Sequence, residues 1–354
     1  MKKNFLISTG GTGGHVVPAI ILSDHLREKC KVIISTDKRG LRYLDEDINK
    51  IEIVNTPKLN NIFLLPFNLF VLLLLTIKAF LVIKKYNIDE VISTGGYMSL
   101  PLIFASKLLN LNLYLVEPNH VLGRSNRYFL NSCKKIFCYN NEIKNFPEKF
   151  KNKIKTIFPL VRKKIYNLQS ISQTKNKFTI LIVGGSQSAN IFNGHLKNVL
   201  VKLSKNFQIK IIHQTNENNI DNLKDFYMRN NLENEIFSFK DDFSEIIKQV
   251  DLSITRAGAS TLAELSLLYI PFIAVPLPSS KDNHQLENAK FYKNNNCCWV
   301  LEQKLFDEKI EKQLYEILDK KSDYLKKKEN LKKLNYQNTW NNVNEKILKA
   351  INEN

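Results

Sequence analysis

The sequence predicts an α/β protein of two doubly wound, parallel-sheet domains. Three features carry this: chain length, the alternation of short apolar runs with longer helical patterns, and glycine-bearing turns at the ends of the runs. At 354 residues with 44% hydrophobic content, the chain is about twice a usual ~150-residue domain and has material for two cores. In the first half the runs are residues 5–7, 32–34, 51–54, 91–92, 113–116 and 136–137; in the second they are 178–183, 209–212, 236–239, 252–254 and 272–275. Each reads as a buried strand followed by a helix, the mark of parallel βαβ units. Pro159 and the aperiodic polar stretch 169–177 put the boundary between domains 1–160 and 161–338.

The N-terminus has only three apolar residues, 5–7, after its two lysines before glycines begin, so it reads as a first strand and not an export signal. The five cysteines lack C-x-x-C spacing and read as reduced thiols of a cytosolic protein. Lys plus Arg number 52 against 34 Asp plus Glu, a net charge of +18. Such a surface favours polyanions or anionic lipid, although a base-composition habit of the source genome accounts equally for much of the excess. The charged stretch 319–333 reads as a solvated helix with no nucleic-acid role.

Segment 62–83 departs from the soluble pattern, being apolar almost throughout. Pro66 starts a helix and Lys78 interrupts it; the ~17 residues that remain rise only ~26 Å, against a ~30 Å hydrocarbon core. A single span would also put the loops at Gly10 and Gly95, which belong to one sheet, on opposite sides of a bilayer. The expectation is a helix with one face on the sheet and the other in a membrane interface, flanked by Lys58, Lys78, Lys84 and Lys85. A wholly buried core helix is the alternative.

Four glycine turns follow strands: Gly10-Gly11-Thr12-Gly13-Gly14-His15, Thr94-Gly95-Gly96-Tyr97, Gly184-Gly185-Ser186-Gln187 and Arg256-Ala257-Gly258-Ala259-Ser260-Thr261. Turns of this kind free backbone N–H groups at helix N-termini, where the macrodipole favours phosphate. The first turn lacks G-x-G-x-x-G spacing and a Gly-Lys-Ser/Thr ending, which removes the main support for a dehydrogenase or a kinase. One Gly-Gly pair is an ordinary tight turn, but four at strand ends, two per half, fit ligand sites of open α/β sheets. In the fourth, Glu264 lies about one turn beyond the phosphate-binding N-terminus, where a carboxylate accepts hydrogen bonds from ribose hydroxyls. Its alternative is an exposed helix residue. Gln285 and Asn288 would flank the sugar.

Taken together, these blocks identify the chain as resembling the peptidoglycan N-acetylglucosaminyltransferases of glycosyltransferase family 28. The carriers are residues 10–18, 95–101, Glu117-Pro118-Asn119 with Gly123 and Ser125-Asn126, 184–189, 256–264 and 282–289. The resemblance spans nearly the whole length and departs from the family pattern at Pro118, Ser188 and Ser260. It implies a GT-B fold: two facing Rossmann-like domains with a cleft between them, and a C-terminal helix, 339–354, returning to the first domain. It implies that Thr12, Gly13, Gly14, Asn119, Arg162, Ser186, Ala259, Ser260, Thr261, Leu262, Ala263, Glu264, His284 and Gln285 bind UDP-GlcNAc. Gly10, Gly11, Gly95, Gly96, Tyr97 and Asn126 would face the acceptor, lipid I (undecaprenyl-diphosphoryl-MurNAc-pentapeptide). The implied enzyme works peripherally on the cytoplasmic face of the bacterial inner membrane and gives lipid II.

The implied reaction inverts the anomeric centre. His15 is the candidate base, a role worth about 10²–10⁴-fold; a loop-holding histidine is the alternative. With no D-x-D-type carboxylate pair, no metal and no other cofactor is expected, and Asp241-Asp242 reads as a helix cap. A different GT-B enzyme, such as a glycolipid synthase or UDP-sugar epimerase, is the closest rival and should lack the first loop and the apolar helix. A nicotinamide oxidoreductase lacks its fingerprint. A non-enzymatic basic membrane or nucleic-acid protein would leave four glycine turns unused.

Overall fold

The structure, a computed structural model, describes residues 2–45, 50–57, 62–168, 177–184, 189–238, 240 and 244–353. It divides into two compact units, Met1–Leu160 with Trp340–Asn354, and Val161–Thr339.

The first unit is built on a parallel sheet of β1 (Asn4–Ser8), β2 (Lys31–Thr36), β3 (Ile51–Ile53), β4 (Glu90–Ser93), β5 (Asn112–Glu117), β6 (Lys135–Cys138) and β7 (Ile154–Thr156), in the order β3-β2-β1-β4-β5-β6-β7. Central β1 pairs on both sides, with Leu6 opposite Ile33 and Val91. The chain winds outward from β1 through β2 and β3, then crosses back to β4 and winds the other way. That reversal makes the β1/β4 edge the switch point, where open α/β sheets take ligands at their carboxyl ends.

The crossover is helix Leu65–Lys85, with Pro66 in its first turn, where the missing N–H costs nothing. Its buried positions are Asn68, Leu72, Thr76, Ala79, Val82 and Ile83, spaced three or four apart as one helical face requires. Ala79 and Ile83 join Leu6, Ile33 and Val91 in one core cluster. Asn87 turns left-handed (φ 47°) and Ile88 N–H reaches back to Ile83 O at 3.0 Å, which closes the helix end. The 21 residues are long enough to cross a membrane, so the length estimated from the sequence was short. Topology decides the matter instead, because the helix joins two strands of one parallel sheet and packs along it. It is not a wholly buried helix either: Phe67, Phe70, Leu73, Leu74, Ile77 and Leu81 are exposed. Two of the expected flanking lysines serve the sheet, Lys78 Nζ donating to Ile53 O and Lys85 pairing with Glu52. Lys58 lies outside the described residues.

Helix Trp340–Asn352 belongs to the first unit. Trp340 stacks on buried His25 with ring centroids 3.6 Å apart, and its indole N–H donates to Glu28 at 2.7 Å. At the other end, Lys135 Nζ donates to Ala350 O at 2.8 Å and Tyr114 hydroxyl to Ile351 O at 3.2 Å.

The second unit repeats the plan with β8 (Phe178–Val183), β9 (Ile209–Gln214), β10 (Asn234–Phe237), β11 (Leu252–Thr255), β12 (Phe272–Ala274) and β13 (Cys298–Val300), ordered β10-β9-β8-β11-β12-β13 and parallel. Along β8, Ile180 and Ile182 enter one core cluster while Leu181 and Val183 enter another. Alternate residues thus bury on opposite faces, which is why these strands read as continuous apolar runs. The switch point is the β8/β11 edge. Helix Lys321–Asn335 is not the fully solvated element expected of 319–333: Tyr324, Lys327, Leu331 and Asn335 are buried, and Asn335 Nδ2 donates to Ser266 Oγ at 2.8 Å.

Candidate active site

At the switch point of the first unit, three loops meet. Thr94 Oγ1 donates to Thr9 Oγ1 at 2.8 Å, tying the turn after β1 to the turn after β4. His15 Nδ1 lies 2.8 Å from Thr94 O. A carbonyl oxygen only accepts, so Nδ1 carries a proton; in the neutral form of the ring Nε2 is then the accepting nitrogen. Gly95 has φ 93°, and a Cβ there would stand 3.3 Å from His15 Cε1 and 3.5 Å from Asn126 Oδ1. The backbone angle favours glycine, and the approach to His15 adds crowding for any larger residue. The loop-holding and proton-accepting readings of His15 are therefore compatible, one on each nitrogen.

The third loop follows β5 and is organised by Glu117, a buried residue to which the sequence assigned no role. Its Oε2 accepts from Gly123 N–H at 2.7 Å and Asn126 Nδ2 at 3.0 Å, and its Oε1 accepts from Asn119 N–H at 3.3 Å and Nδ2 at 3.1 Å. Burial pushes the carboxyl up from its ordinary value, against these hydrogen bonds, which pull it down. Asn126, expected to face an acceptor, is only 3% exposed and also donates to Val116 O at 3.0 Å. It is a loop-building residue, and among the described residues its Oδ1 has no hydrogen-bond partner.

A second group missed by the sequence reading supports the first loop. Asp37, buried after β2, accepts at Oδ1 from Gly11 N–H (2.8 Å) and Gly40 N–H (2.9 Å). Its Oδ2 holds Arg39 Nε at 2.8 Å. Arg39 in turn donates from Nη2 to the Tyr97 hydroxyl, and its Cζ sits 5.5 Å from the Tyr97 ring centroid. Gly10, Gly11, Gly95 and Gly96 all have positive φ. Thr12 caps helix Gly13–Arg27 without a side-chain hydrogen bond, so Gly13 and Gly14 open a helix N-terminus.

In the second unit, Gly258 precedes helix Ala259–Leu267, whose start has no side-chain cap. Ala259, Ser260 and Thr261 are partly exposed there. Leu262 and Ala263, expected at the donor, are core residues instead, at 0% and 1% exposure; Leu262 N–H bonds to Gly258 O at 3.0 Å. These two offer no side chain to a ligand. Glu264 is 5% exposed and so is not a surface residue. Arg162 Nη1 lies 3.3 Å from its Oε1, an ion pair without hydrogen-bond alignment, since Oε1 has no hydrogen-bond partner among the described residues. Burial raises the Glu264 carboxyl, and Arg162 partly offsets this.

The turn is braced from behind. Gln285 Oε1 accepts from Ala257 N–H at 3.2 Å and Leu277 N–H at 3.0 Å, leaving the side chain only its N–H donors for a ligand. Asn288, expected beside the sugar, is buried and donates to Ala257 O at 3.1 Å. Arg256 Nη1 donates to Val275 O at 3.0 Å. His284 starts helix His284–Asn294, with Nδ1 2.8 Å from Lys281 O. Ser186 and Asp241-Asp242 lie outside the described residues. Among the described residues, no three His, Cys, Asp or Glu side chains group as metal ligands.

Residues 5–138 match the glycosyltransferase family 28 N-terminal domain and 179–342 its C-terminal domain. The chain is 48% identical, over 100% of both chains, to the Pelagibacter ubique UDP-N-acetylglucosamine–N-acetylmuramyl-(pentapeptide) pyrophosphoryl-undecaprenol N-acetylglucosamine transferase. The Rickettsia canadensis enzyme of that name is 36% identical, with 86% of each chain covered. The crystal structure of Acinetobacter baumannii MurG superposes with a TM-score of 0.77 at 25% identity, covering 99% of each chain. Two α/β units, each built on a parallel sheet, and this full-length likeness make the chain a member of glycosyltransferase family 28 with the GT-B fold.

Proposed function

We infer that the protein transfers N-acetylglucosamine from UDP-GlcNAc to the 4-hydroxyl of the muramoyl sugar of lipid I, giving lipid II and UDP. The full-length likeness to the Pelagibacter transferase carries the reaction; the division of labour between units rests on geometry. In this reading the second unit takes UDP. The uncapped start of helix Ala259–Leu267 faces the diphosphate. Glu264, with a buried oxygen lacking a hydrogen-bond partner among the described residues, accepts from ribose hydroxyls. Arg162, paired to it, adds positive charge for the leaving group.

The first unit presents the acceptor. The acceptor oxygen forms a bond to the anomeric carbon as the bond from that carbon to the UDP oxygen breaks, and the hydroxyl proton passes to His15 Nε2. The tautomer imposed by Thr94 O suits that transfer. The exposed face of helix Leu65–Lys85, with Phe63 91% exposed just before it, docks on the cytoplasmic membrane surface.

A transfer assay with radiolabelled UDP-GlcNAc and a panel of lipid-linked diphosphate acceptors tests this. The expected result is label in the muramoyl-peptide acceptor with one UDP released per transfer. UDP release with no acceptor dependence would contradict it.

A further inference from the structure

Arg39 stands at the edge of the switch point of the first unit, outside every glycine turn. Its side chain is 47% exposed, whereas its partner Asp37 is 6% exposed. Asp37 spends one oxygen on the Gly11 and Gly40 N–H groups and the other on Arg39 Nε. The guanidinium is thus fixed along one edge by a carboxylate that is itself locked to the glycine loop. Nη2 bonds the Tyr97 hydroxyl and contacts Met98 Sδ at 3.4 Å. A Cβ on Gly11 would stand 2.6 Å from Met98 Cε and 3.9 Å from Nη2, so the cation borders the face of Gly11 that lacks a side chain, with the Met98 side chain beside it. Held arginines lose little freedom on binding, and their planar fork matches phosphate oxygens.

We propose that Arg39 binds the diphosphate of the lipid-linked acceptor, bordering Gly11 while Tyr97 is held beside it. This rests on the reading above that the first unit takes the acceptor. Asp37 is the positioning residue: it sets the guanidinium beside the loop and does not itself meet substrate.

The test uses farnesyl diphosphate and farnesyl monophosphate as inhibitors in the transfer assay, with wild type, Arg39→Gln and Arg39→Lys. In wild type the diphosphate competes with the acceptor and inhibits more strongly than the monophosphate. In Arg39→Gln that advantage should shrink by about 10-fold, the range for losing a hydrogen bond to a charged group, while the KM for UDP-GlcNAc stays unchanged. Arg39→Lys keeps the charge without the fork and should lose a smaller factor; it also carries the test if the Gln variant fails to fold. An unchanged diphosphate advantage in the folded variants, or a wild type that does not distinguish the two inhibitors, overturns the proposal. A wild type that binds farnesyl diphosphate by calorimetric titration, yet transfers nothing to muramoyl acceptors, sinks the proposed reaction; the same titration on the variants then still reads Arg39.

Discussion

Three buried or half-buried side chains give the sharpest expectations at the residue scale. Glu264→Gln should raise the KM for UDP-GlcNAc by about 10- to 100-fold, the effect of losing a hydrogen bond to a charged group, and leave the acceptor KM nearly unchanged. Equal changes in both would remove Glu264 from the donor site. Because burial raises its carboxyl, protonation sets in at a higher pH than for an ordinary glutamate. The donor KM should therefore rise, as pH falls, before the ordinary carboxylate range is reached, and Glu264→Gln should abolish that limb. The sign for stability is separate: a carboxyl raised in the folded state favours the fold at low pH and loses that contribution as pH climbs through its folded value. Glu117→Gln sets an NH₂ group against two N–H donors in either orientation, since each carboxylate oxygen accepts two. A loss of about 1–3 kcal/mol in denaturant unfolding is expected, and an unchanged midpoint would show that the loop does not depend on it. His15→Ala should lower kcat by about 10²–10⁴-fold with little change in donor KM.

Helix Leu65–Lys85 separates two kinds of leucine. Leu72 is 8% exposed and Leu73 is 58% exposed. Leu73→Glu with Ile77→Glu should cost binding to phosphatidylglycerol vesicles while sparing thermal stability and turnover of a short-chain acceptor; vesicle binding that survives would contradict the docking face. Leu72→Glu should instead destabilise the fold by upwards of about 3 kcal/mol, because it buries an unpaired charge. The central strands were legible in the sequence because both faces are buried and the apolar runs are uninterrupted. β7 and β13 were not: each is a three-residue edge strand, Ile-Lys-Thr and Cys-Trp-Val, too short for a period and paired on one side only. At the site, glycine turns announced the loops, but Asp37 and Arg39 stand after β2, far from any glycine motif in sequence. Only folding brings their charges to Gly11 and Tyr97. Leu262 and Ala263 show the opposite case: a motif position does not say which way a helical side chain points, and both side chains are in the core.

For the molecule as a whole, the closing helix is part of the first unit and not a tail. Removing 340–354 takes away the Trp340–His25 stack and the partners of Lys135 and Tyr114. Calorimetry of the truncated chain should show one weakened transition, belonging to the first unit, with the second unit's transition kept; equal losses in both would contradict this. The net charge of +18 would favour the anionic acceptor and membrane surface proposed above, and its contribution should fade as salt rises. The assignment of UDP to the second unit and the acceptor to the first is tested most directly by calorimetric titration of UDP into wild type, Glu264→Ala and His15→Ala. The expected result is a UDP affinity at least about 10-fold weaker in Glu264→Ala and unchanged in His15→Ala; UDP binding that survives the first substitution and collapses with the second would reverse the assignment.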